Sequence, residues 1–271
     1  MSSTNPYVSP GAMPPETKTY SAGTRRLQYG EMFGFAFTNP NWATNVLWGS
    51  GCLLIAYFIP FLPQLVLSGY LWEVLEKRHR RETHSYPDFD INRFTDYLTR
   101  SIWPFLASLI GSFAIMLVAV PIVILMMVMM AVADAQNNDA LAIVSLLGGW
   151  LLSLLVTIPF QAVMVPLMLR AALAQDLGAA FNLAWIKEFL RLTWKELLLG
   201  GLVLMIVGPI IFFVGFLMLC IGVLPAAVVL LYATTHFQWQ LYEIFLERGG
   251  TPIPLKTPKP VATMATPPKY I

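Results

Sequence analysis

Charged side chains are scarce in this sequence, and they are unevenly placed. Asp, Glu, Lys and Arg make up 12% of the residues, whereas they make up about 25% of a soluble domain. Residues 101–169 contain neither Lys nor Arg, and residues 197–242 contain no Asp, Glu, Lys or Arg. The net charge of +2 is too small to indicate a nucleic-acid partner. With 57% hydrophobic residues and a mean hydropathy of +0.65, the composition predicts a membrane protein.

Cysteine is scarce too, and residues that could act together in catalysis are lacking. Cys52 and Cys220 lie in apolar segments and have neither the spacing of a metal site nor the aqueous setting of a disulfide. No nucleophile, base and orienting residue can be grouped, so the sequence predicts that the protein is not an enzyme and uses no cofactor. His84, Asp88 and Asp90 share one loop, but this is ordinary loop composition. No metal site is therefore predicted.

Long apolar segments are what the sequence has instead. Residues 101–133 and 141–169 are each long enough to cross a bilayer once, and the acidic loop 134–139 joins them, so they predict a helical hairpin. As one helix, residues 197–233 would be about 55 Å long, which is too long for one crossing. This segment must therefore be two helices, and glycine and proline place the turn within residues 215–225.

The first apolar segment, residues 46–72, allows two interpretations. At about 40 Å it is long for one crossing and short for two. Pro60 and Pro63 interrupt it in the middle. If they kink one tilted helix, the chain has five crossings and an external N-terminus. If they turn the chain back, it has six membrane helices and an internal N-terminus.

An internal repeat favours the second interpretation. Three apolar segments begin with a tryptophan that a glycine follows: Trp42 and Gly49, Trp103 and Gly111, and Trp194 and Gly201. A stretch that could form an amphipathic interfacial helix precedes each tryptophan: 27–38, 90–100 and 176–193. The sequence thus predicts an all-α polytopic membrane protein, with five to six membrane helices arranged as hairpins and short interfacial amphipathic helices.

The positive charges predict the orientation in the membrane. Lys77, Arg78, Arg80 and Arg81 follow the first apolar segment closely. Because cytoplasmic loops are rich in Lys and Arg, loops 73–100 and 170–196 and the C-terminus are predicted to be cytoplasmic, and loop 134–139 external. The cell membrane is the predicted location.

Both ends of the chain are rich in residues that disfavour a packed core. Residues 1–24 and the proline-rich residues 249–271 are predicted to be disordered tails on a helical membrane domain at residues 25–248. Either tail could bind a protein partner, and the lipid bilayer is the other predicted partner.

Three motifs indicate a family. They are FTNPNW before the first apolar segment, LSGYLWEVLEKR at its end and YPDFDINRF before the second. They resemble the hallmarks of a family of prokaryotic multi-spanning membrane proteins that is catalogued only as a domain of unknown function. The resemblance covers about residues 30–245, and its most specific positions are Asn41, Trp42, Gly69, Tyr70, Pro87 and Asp88. It implies a multi-pass bacterial or archaeal membrane protein with no assigned activity.

Two kinds of function fit the sequence. The first is a membrane-anchored binding or scaffolding protein. The alternative is an uncoupled transporter, a channel or a lipid-handling protein for a small or apolar solute. Coupled transport normally needs an ionisable residue inside the membrane, and none lies well inside these segments. Gln64 and Gln161 are the candidate intramembrane polar residues for such a pathway.

Overall fold

A computed structural model describes residues 26–82, 85–218 and 221–255, and within these the chain forms α-helices and two short 3-10 turns but no strand. The helices are α1 (Tyr29–Gly34), α2 (Trp42–Ile55), α3 (Leu62–Arg80), α4 (Phe94–Ala135), α5 (Asp139–Ala174), α6 (Leu177–Ala180), α7 (Leu183–Leu217) and α8 (Val223–Glu247). The all-α prediction is confirmed. Among the described residues, α4, α5 and α7 are long and apolar enough to cross a membrane. The larger count of five to six membrane helices stays a prediction.

The two predicted turns in the second half of the chain lie where the sequence placed them. Helix α4 ends at Ala135 and α5 begins at Asp139. Asn138 is the N-cap of α5, because its side-chain oxygen accepts a hydrogen bond from Leu141 N at 3.0 Å. Helices α7 and α8 are separated within the predicted range 215–225. Each turn therefore joins two helices that pack against each other as a hairpin.

Residues 57–64 turn the chain and do not kink one helix. Helix α2 ends before them, and α3 begins at Leu62 with Pro63 in its first turn, where a missing N–H costs nothing. The two helices pack against each other, and a Cβ on Gly49 would lie 3.5 Å from Leu67 Cδ1. These two positions are nearly equidistant from the turn, so α2 and α3 form a short antiparallel hairpin.

The predicted interfacial helices require a correction. Residues 94–100 and 183–193 are not separate helices, because α4 and α7 run without a break into the apolar segments. In α4 the buried residues Tyr97, Ser101, Pro104 and Ala107 recur at helical spacing. This packed face continues on both sides of Pro104, which explains why α4 does not end at that proline.

Helix α1 stands where the first interfacial helix was predicted, but it packs on α8. Met32 is buried, and Gln28 just before the helix is tied to Gln240 of α8. The Gln28 N–H donates to Gln240 Oε1 at 2.9 Å, and Gln240 Nε2 donates to Gln28 O at 3.2 Å. The start of the described chain is thus held by its last helix.

Burial divides the molecule into two regions. The base consists of α1, the loop 85–90, most of α8 and the parts of the other helices that pack on them, namely 66–80, 94–107, 164–174 and 183–197. Its aromatic core includes Tyr70, Tyr97, Phe189, Tyr232, Tyr242 and Phe245. The apolar hairpin, residues 109–163 of α4 and α5, exposes most of its leucine, isoleucine and valine side chains. In the most apolar window of α4, 0% of the residues are buried.

The chain after α8 continues the base. Trp185 Nε1 donates to Thr251 O at 2.7 Å, and Ile253 N donates to the Tyr242 hydroxyl at 2.8 Å. Ile253 is buried. Residues 251–253, assigned to the tail from the sequence, are therefore packed on the helices. The remainder of that tail, 256–271, and the tail predicted at 1–24 lie outside the described residues.

Candidate functional site

Three asparagines surround the carboxylate of Asp88. Asn39 Nδ2 and Asn45 Nδ2 donate to its Oδ1 at 2.9 and 3.1 Å, and Asn41 Nδ2 donates to its Oδ2 at 2.8 Å. The hydrogen bonds from Asn45 and Asn41 hold the pKa of the Asp88 carboxyl below its ordinary value, because they favour the charged form. This Asn–Asp cluster fastens the loop between α3 and α4 to the start of α2.

Tyr70 extends the cluster into the core. Its hydroxyl donates to Pro87 O at 2.8 Å and lies 2.9 Å from the Tyr232 hydroxyl of α8. Tyr86 donates to Ala36 O at 2.6 Å, and burial raises the pKa of Tyr86 to about 12. These phenols stay protonated at neutral pH and act as hydrogen-bonding links between helices.

Gly69 lies where α3 and α4 cross closely. A Cβ at this position would lie 1.8 Å from the backbone oxygen of Tyr97. Any residue other than glycine at position 69 would therefore push α3 and α4 apart. Trp42 is different, because it is 40% exposed and contacts Phe37 edge-to-face. The structure therefore brings together all the predicted motif residues except Trp42, and their partners are protein groups.

Two buried carboxylates of the base have partners that could not be read from the sequence. Glu73 is 2% exposed and accepts two hydrogen bonds from Arg93, at 2.8 and 2.7 Å, and Lys77 Nζ lies 2.9 Å away. Burial alone would raise the pKa of Glu73, but the hydrogen bonds from Arg93 and Lys77 bring it below its ordinary value. His79 Nδ1 lies 2.6 Å from Glu243 Oε1. Only the Glu73–Lys77 spacing, one helical turn, was a signal in the sequence.

No described residues form a metal site. Among them, no three His, Cys, Asp or Glu side chains lie close enough together to hold a metal ion. Both oxygens of Asp88 are engaged by asparagine amides. His84, the other residue considered for a cation, lies outside the described residues.

A cavity of about 470 Å³ lies between α3 and α8, and we call it the α3–α8 groove. It is lined by Leu53 of α2, by Gln64, Leu67, Ser68, Leu71 and Trp72 of α3, by Phe212 of α7, and by Ala227, Leu230, Leu231, Thr234, Thr235 and Gln238 of α8. A second cavity of about 360 Å³ shares Leu53, Gln64, Phe212 and Ala227 with it and reaches Tyr57 and Val223. The groove therefore extends from the base to the α2–α3 turn.

The polar groups of the groove are uncharged. Gln64, Ser68 and Trp72 follow each other at one-turn intervals on α3, and Thr234, Thr235 and Gln238 lie on α8, where the two threonine hydroxyls donate to Leu230 O and Leu231 O. Trp72 is 7% exposed, and its buried indole N–H has no hydrogen-bond partner in the described part of the chain. Gln161 is exposed on α5 and does not line the groove. The structure thus separates the two glutamines that the sequence analysis grouped.

The exposed apolar helices define the class of protein. Helices of this length and hydropathy whose apolar side chains face outward need a bilayer around them. The chain is an integral membrane protein.

A family model described as "Protein of unknown function (DUF4013)" matches residues 52–233, which is more than half of the chain, and the protein belongs to that family. The resemblance to a family catalogued only as a domain of unknown function is thereby confirmed. No curated protein and no solved structure matches this chain.

Proposed function

We propose that this protein is a multi-pass binding protein of the prokaryotic cell membrane, and that its α3–α8 groove takes up an apolar or amphipathic molecule from the bilayer. The groove carries this proposal, because a mostly apolar cavity with a few convergent polar groups is the usual form of a ligand site. The other polar clusters described here, around Asp88 and Glu73, have protein partners. The proposed role is binding and not catalysis.

The base supports this role by fixing the two helices that form the groove. Tyr70 of α3 meets Tyr232 of α8, and His79 of α3 meets Glu243 of α8, so links lie at intervals along the same pair of helices. A site on helices that are fixed in this way loses little entropy when a ligand binds. The base is thus the scaffold of the proposed site.

The orientation belongs to the same proposal. The basic residues in the last turn of α3 and within residues 170–196 lie at the base, whereas Asp134 and Asp139 lie at the tip of the apolar hairpin. By the positive-inside rule the base, with loops 73–100 and 170–196 and the C-terminus, is cytoplasmic, and loop 134–139 is external. A protein partner through the proline-rich tails remains a separate proposal, and residues 1–24 and 256–271 of those tails lie outside the described residues.

The continuity of the groove favours a second candidate, an uncoupled passage or lipid-handling protein. The two adjoining cavities lead from Trp72 and Gln238 to Tyr57 and Val223. No Asp, Glu, Lys, Arg or His is among the residues that line either cavity. Movement along the groove would therefore not be coupled to protons or ions.

Photocrosslinking tests the binding proposal. The full-length protein is reconstituted in phosphatidylcholine vesicles that contain phosphatidylcholine with a diazirine on one acyl chain. We expect crosslinks on Leu67, Leu71 and Leu230 beyond those on the lipid-facing Leu151 and Leu155. Ala227→Phe fills the groove and should lower only the first set.

The control for this experiment is Ala114→Phe, an equal enlargement on the exposed face of α4. A groove ligand would be ruled out if crosslinks on α3 and α8 are no stronger than those on α5 and Ala227→Phe does not change them. Transfer of a fluorescent phosphatidylcholine between leaflets, lowered by Ala227→Phe, would decide for the second candidate.

A further inference from the structure

We propose that the outward face of α7 binds the phosphate headgroup of an anionic phospholipid through Lys187, Arg191 and Lys195. We call these three residues the basic stripe. None of them lines either cavity of the α3–α8 groove, so this inference does not depend on the proposed function. It concerns the lipids that surround the protein and not a molecule that enters it.

The basic stripe lies on one face of α7. Its members are four residues apart, which is close to one helical turn, and all three are exposed. Leu183, one turn before the stripe, is 73% exposed, and Leu198, just after it, is 45% exposed. The stripe is thus part of one outward-facing surface that continues along the helix.

The cations of the basic stripe have no carboxylate partner in the described part of the chain, whereas other cations of the base do. Arg93 is paired with Glu73, and Arg100 is paired with Glu76. Neither an ion pair nor a hydrogen bond joins a side chain of the stripe to a described residue. Unpaired positive charge is therefore concentrated on the outward face of α7.

The two acids nearest to the basic stripe are engaged elsewhere. Glu188 Oε1 accepts a hydrogen bond from Thr251 N at 3.2 Å. Glu196, next to Lys195 in the sequence, is paired with Arg248. Like charges one helical turn apart repel each other, and the stripe contains two such neighbouring pairs. An anion bound between them would relieve this repulsion.

The basic stripe ends where the apolar part of α7 begins. Residues 197–217 of α7 contain no charged side chain, and at about 1.5 Å per residue they are about 30 Å long, which equals the thickness of the hydrocarbon core of a bilayer. Along the helix axis, Lys195 and Arg191 lie about 3 and 9 Å from the edge of this core. This is the depth of the lipid headgroups. Lys187, about 15 Å from the edge, attracts anions from farther out.

Trp194 supports this depth. It is 52% exposed, and Lys195 Nζ lies 5.6 Å from the centroid of its ring. Exposed tryptophans of membrane proteins are concentrated at the level of the headgroups. Leu198 and Leu202, which are 45% and 53% exposed, begin the lipid-facing part of the same helix. A lipid whose acyl chain contacts these leucines therefore places its phosphate beside the basic stripe.

The same placement selects an anionic phospholipid as the ligand. Phosphatidylcholine carries its own cation next to the phosphate, so it gains less from the basic stripe. An acidic soluble partner would meet the cations, but it would have to displace the lipids that contact Leu198 and Leu202. Each Lys or Arg near an anionic membrane surface strengthens the attraction about fivefold.

The test measures which lipid labels α7. The full-length protein is reconstituted in phosphatidylcholine vesicles that contain a trace of phosphatidylglycerol or of phosphatidylcholine with a diazirine near the start of one acyl chain. Mass spectrometry then quantifies the lipid attached to residues 194–205. In the wild type we expect phosphatidylglycerol to label this segment about fivefold or more above phosphatidylcholine. Salt at about 0.5 M should reduce this preference by screening the charges.

Three variants locate the preference. Lys187→Gln, Arg191→Gln and Lys195→Gln combined should lower labelling by phosphatidylglycerol to the level of phosphatidylcholine. A second variant, in which the lysines of the stripe become arginine and the arginine becomes lysine, keeps the charge and should keep the preference. The third variant combines three substitutions that remove equal charge from the C-terminal tail and should also keep the preference: Lys256→Gln, Lys259→Gln and Lys269→Gln.

Labelling by phosphatidylcholine reports whether α7 is still inserted, and it should be the same in all variants. The inference would be overturned by equal labelling with the two lipids in the wild type, or by a preference that survives the glutamine substitutions in the stripe. A loss that is as large in the tail variant or in the charge-keeping variant would overturn it too. None of these results would affect the proposed function, because crosslinking in the groove is measured on α3 and α8.

Discussion

Helices α4 and α5 run through both the base and the apolar hairpin, yet these two regions are stabilised in different ways. In the base, aromatic side chains are buried and the carboxylates of Glu73 and Asp88 are matched by donors. In the apolar hairpin, side chains such as Leu117 and Leu155 are more than two-thirds exposed. The comparison teaches that α4 is held by protein contacts at one end and by its solvent, the bilayer, at the other.

The glycines should give the largest difference between the two regions. Gly69→Ala places its Cβ 1.8 Å from the backbone oxygen of Tyr97, which cannot move unless α3 and α4 separate. We expect a loss of about 3 kcal/mol or more, measured as thermal unfolding of the purified full-length protein in detergent.

Two substitutions in the apolar hairpin are the controls. Gly149→Ala meets the side chain of Met126, with Cε, Sδ and Cγ at 2.2–2.6 Å, and this side chain can change its rotamer; Gly148→Ala meets no atom within 4 Å apart from the backbone of its own helix. The first should cost less than about 1 kcal/mol, and the second should be neutral or slightly stabilising because alanine favours a helix. Equal losses in both regions would contradict the comparison.

Leucine truncation should give the next largest effect. Leu75 in the base is 1% exposed, so Leu75→Ala creates a cavity and should cost about 3 kcal/mol. Leu155→Ala, at a position that is 70% exposed, should change stability by less than about 0.5 kcal/mol. The same melting experiment measures both, and a large loss for Leu155→Ala would mean that the hairpin has a packed partner.

Removal of one amide sharpens the comparison for polar groups. Asn45 is 3% exposed, donates to Asp88 and accepts from Phe89 N at 2.8 Å. Asn45→Ala leaves that buried N–H unpaired and should cost about 2 kcal/mol. Gln161→Ala, on the exposed face of α5, is the matched control and should be close to neutral. If both variants melt like the wild type, the Asn–Asp cluster does not stabilise the base.

Lowering the pH should give the smallest change in stability, and this change should come from the base alone. Because the folded pKa of Asp88 is lowered, its contribution is present above the ordinary value of about 3.9 and is lost as the pH falls through the lowered one. Asp88 is exposed, so we expect less than about 1 kcal/mol. Stability against pH from 6 to about 2.5 measures it.

Asp88→Asn is the decisive variant for the acid effect. It should be less stable than the wild type at pH 7 and should lose less stability as the pH falls below about 4. Asn41→Ala removes one donor and should give an intermediate profile. An acid limb in Asp88→Asn that is identical to the wild-type limb would show that other carboxylates account for it.

The sequence predicted the helices and turns well because apolar length and helix breakers are local signals. The acidic loop at 134–139, the turn within 215–225 and the break at Pro60 and Pro63 all follow from such signals. The predicted ends of the helices at 90–100 and 176–193 were wrong, because the end of a helix also depends on tertiary packing, and in α4 a packed face continues past Pro104.

Much less of the candidate site could be predicted. The motif positions named Tyr70 and Asp88 individually, but their partners Tyr232 and Asn45 are distant in sequence, and no local signal joins them. Gln64 was identified as an intramembrane polar residue, and the structure places it in the groove. Trp72 was missed because no local signal shows that this tryptophan lines a cavity together with residues of α8.

The contact between Gln28 and Gln240 has a consequence for how the protein is made. The two residues are 212 positions apart, which corresponds to about ten to forty seconds of translation at about 5–20 residues per second. The first segment thus emerges from the ribosome long before the helix that holds it exists. Helix α2 also packs on α8, since a Cβ on Gly49 would lie 2.8 Å from Val228 of α8. Helices α1 and α2 are therefore among the last parts of the described chain to reach their places, and a nascent chain that stops before α8 lacks the helix on which both of them pack.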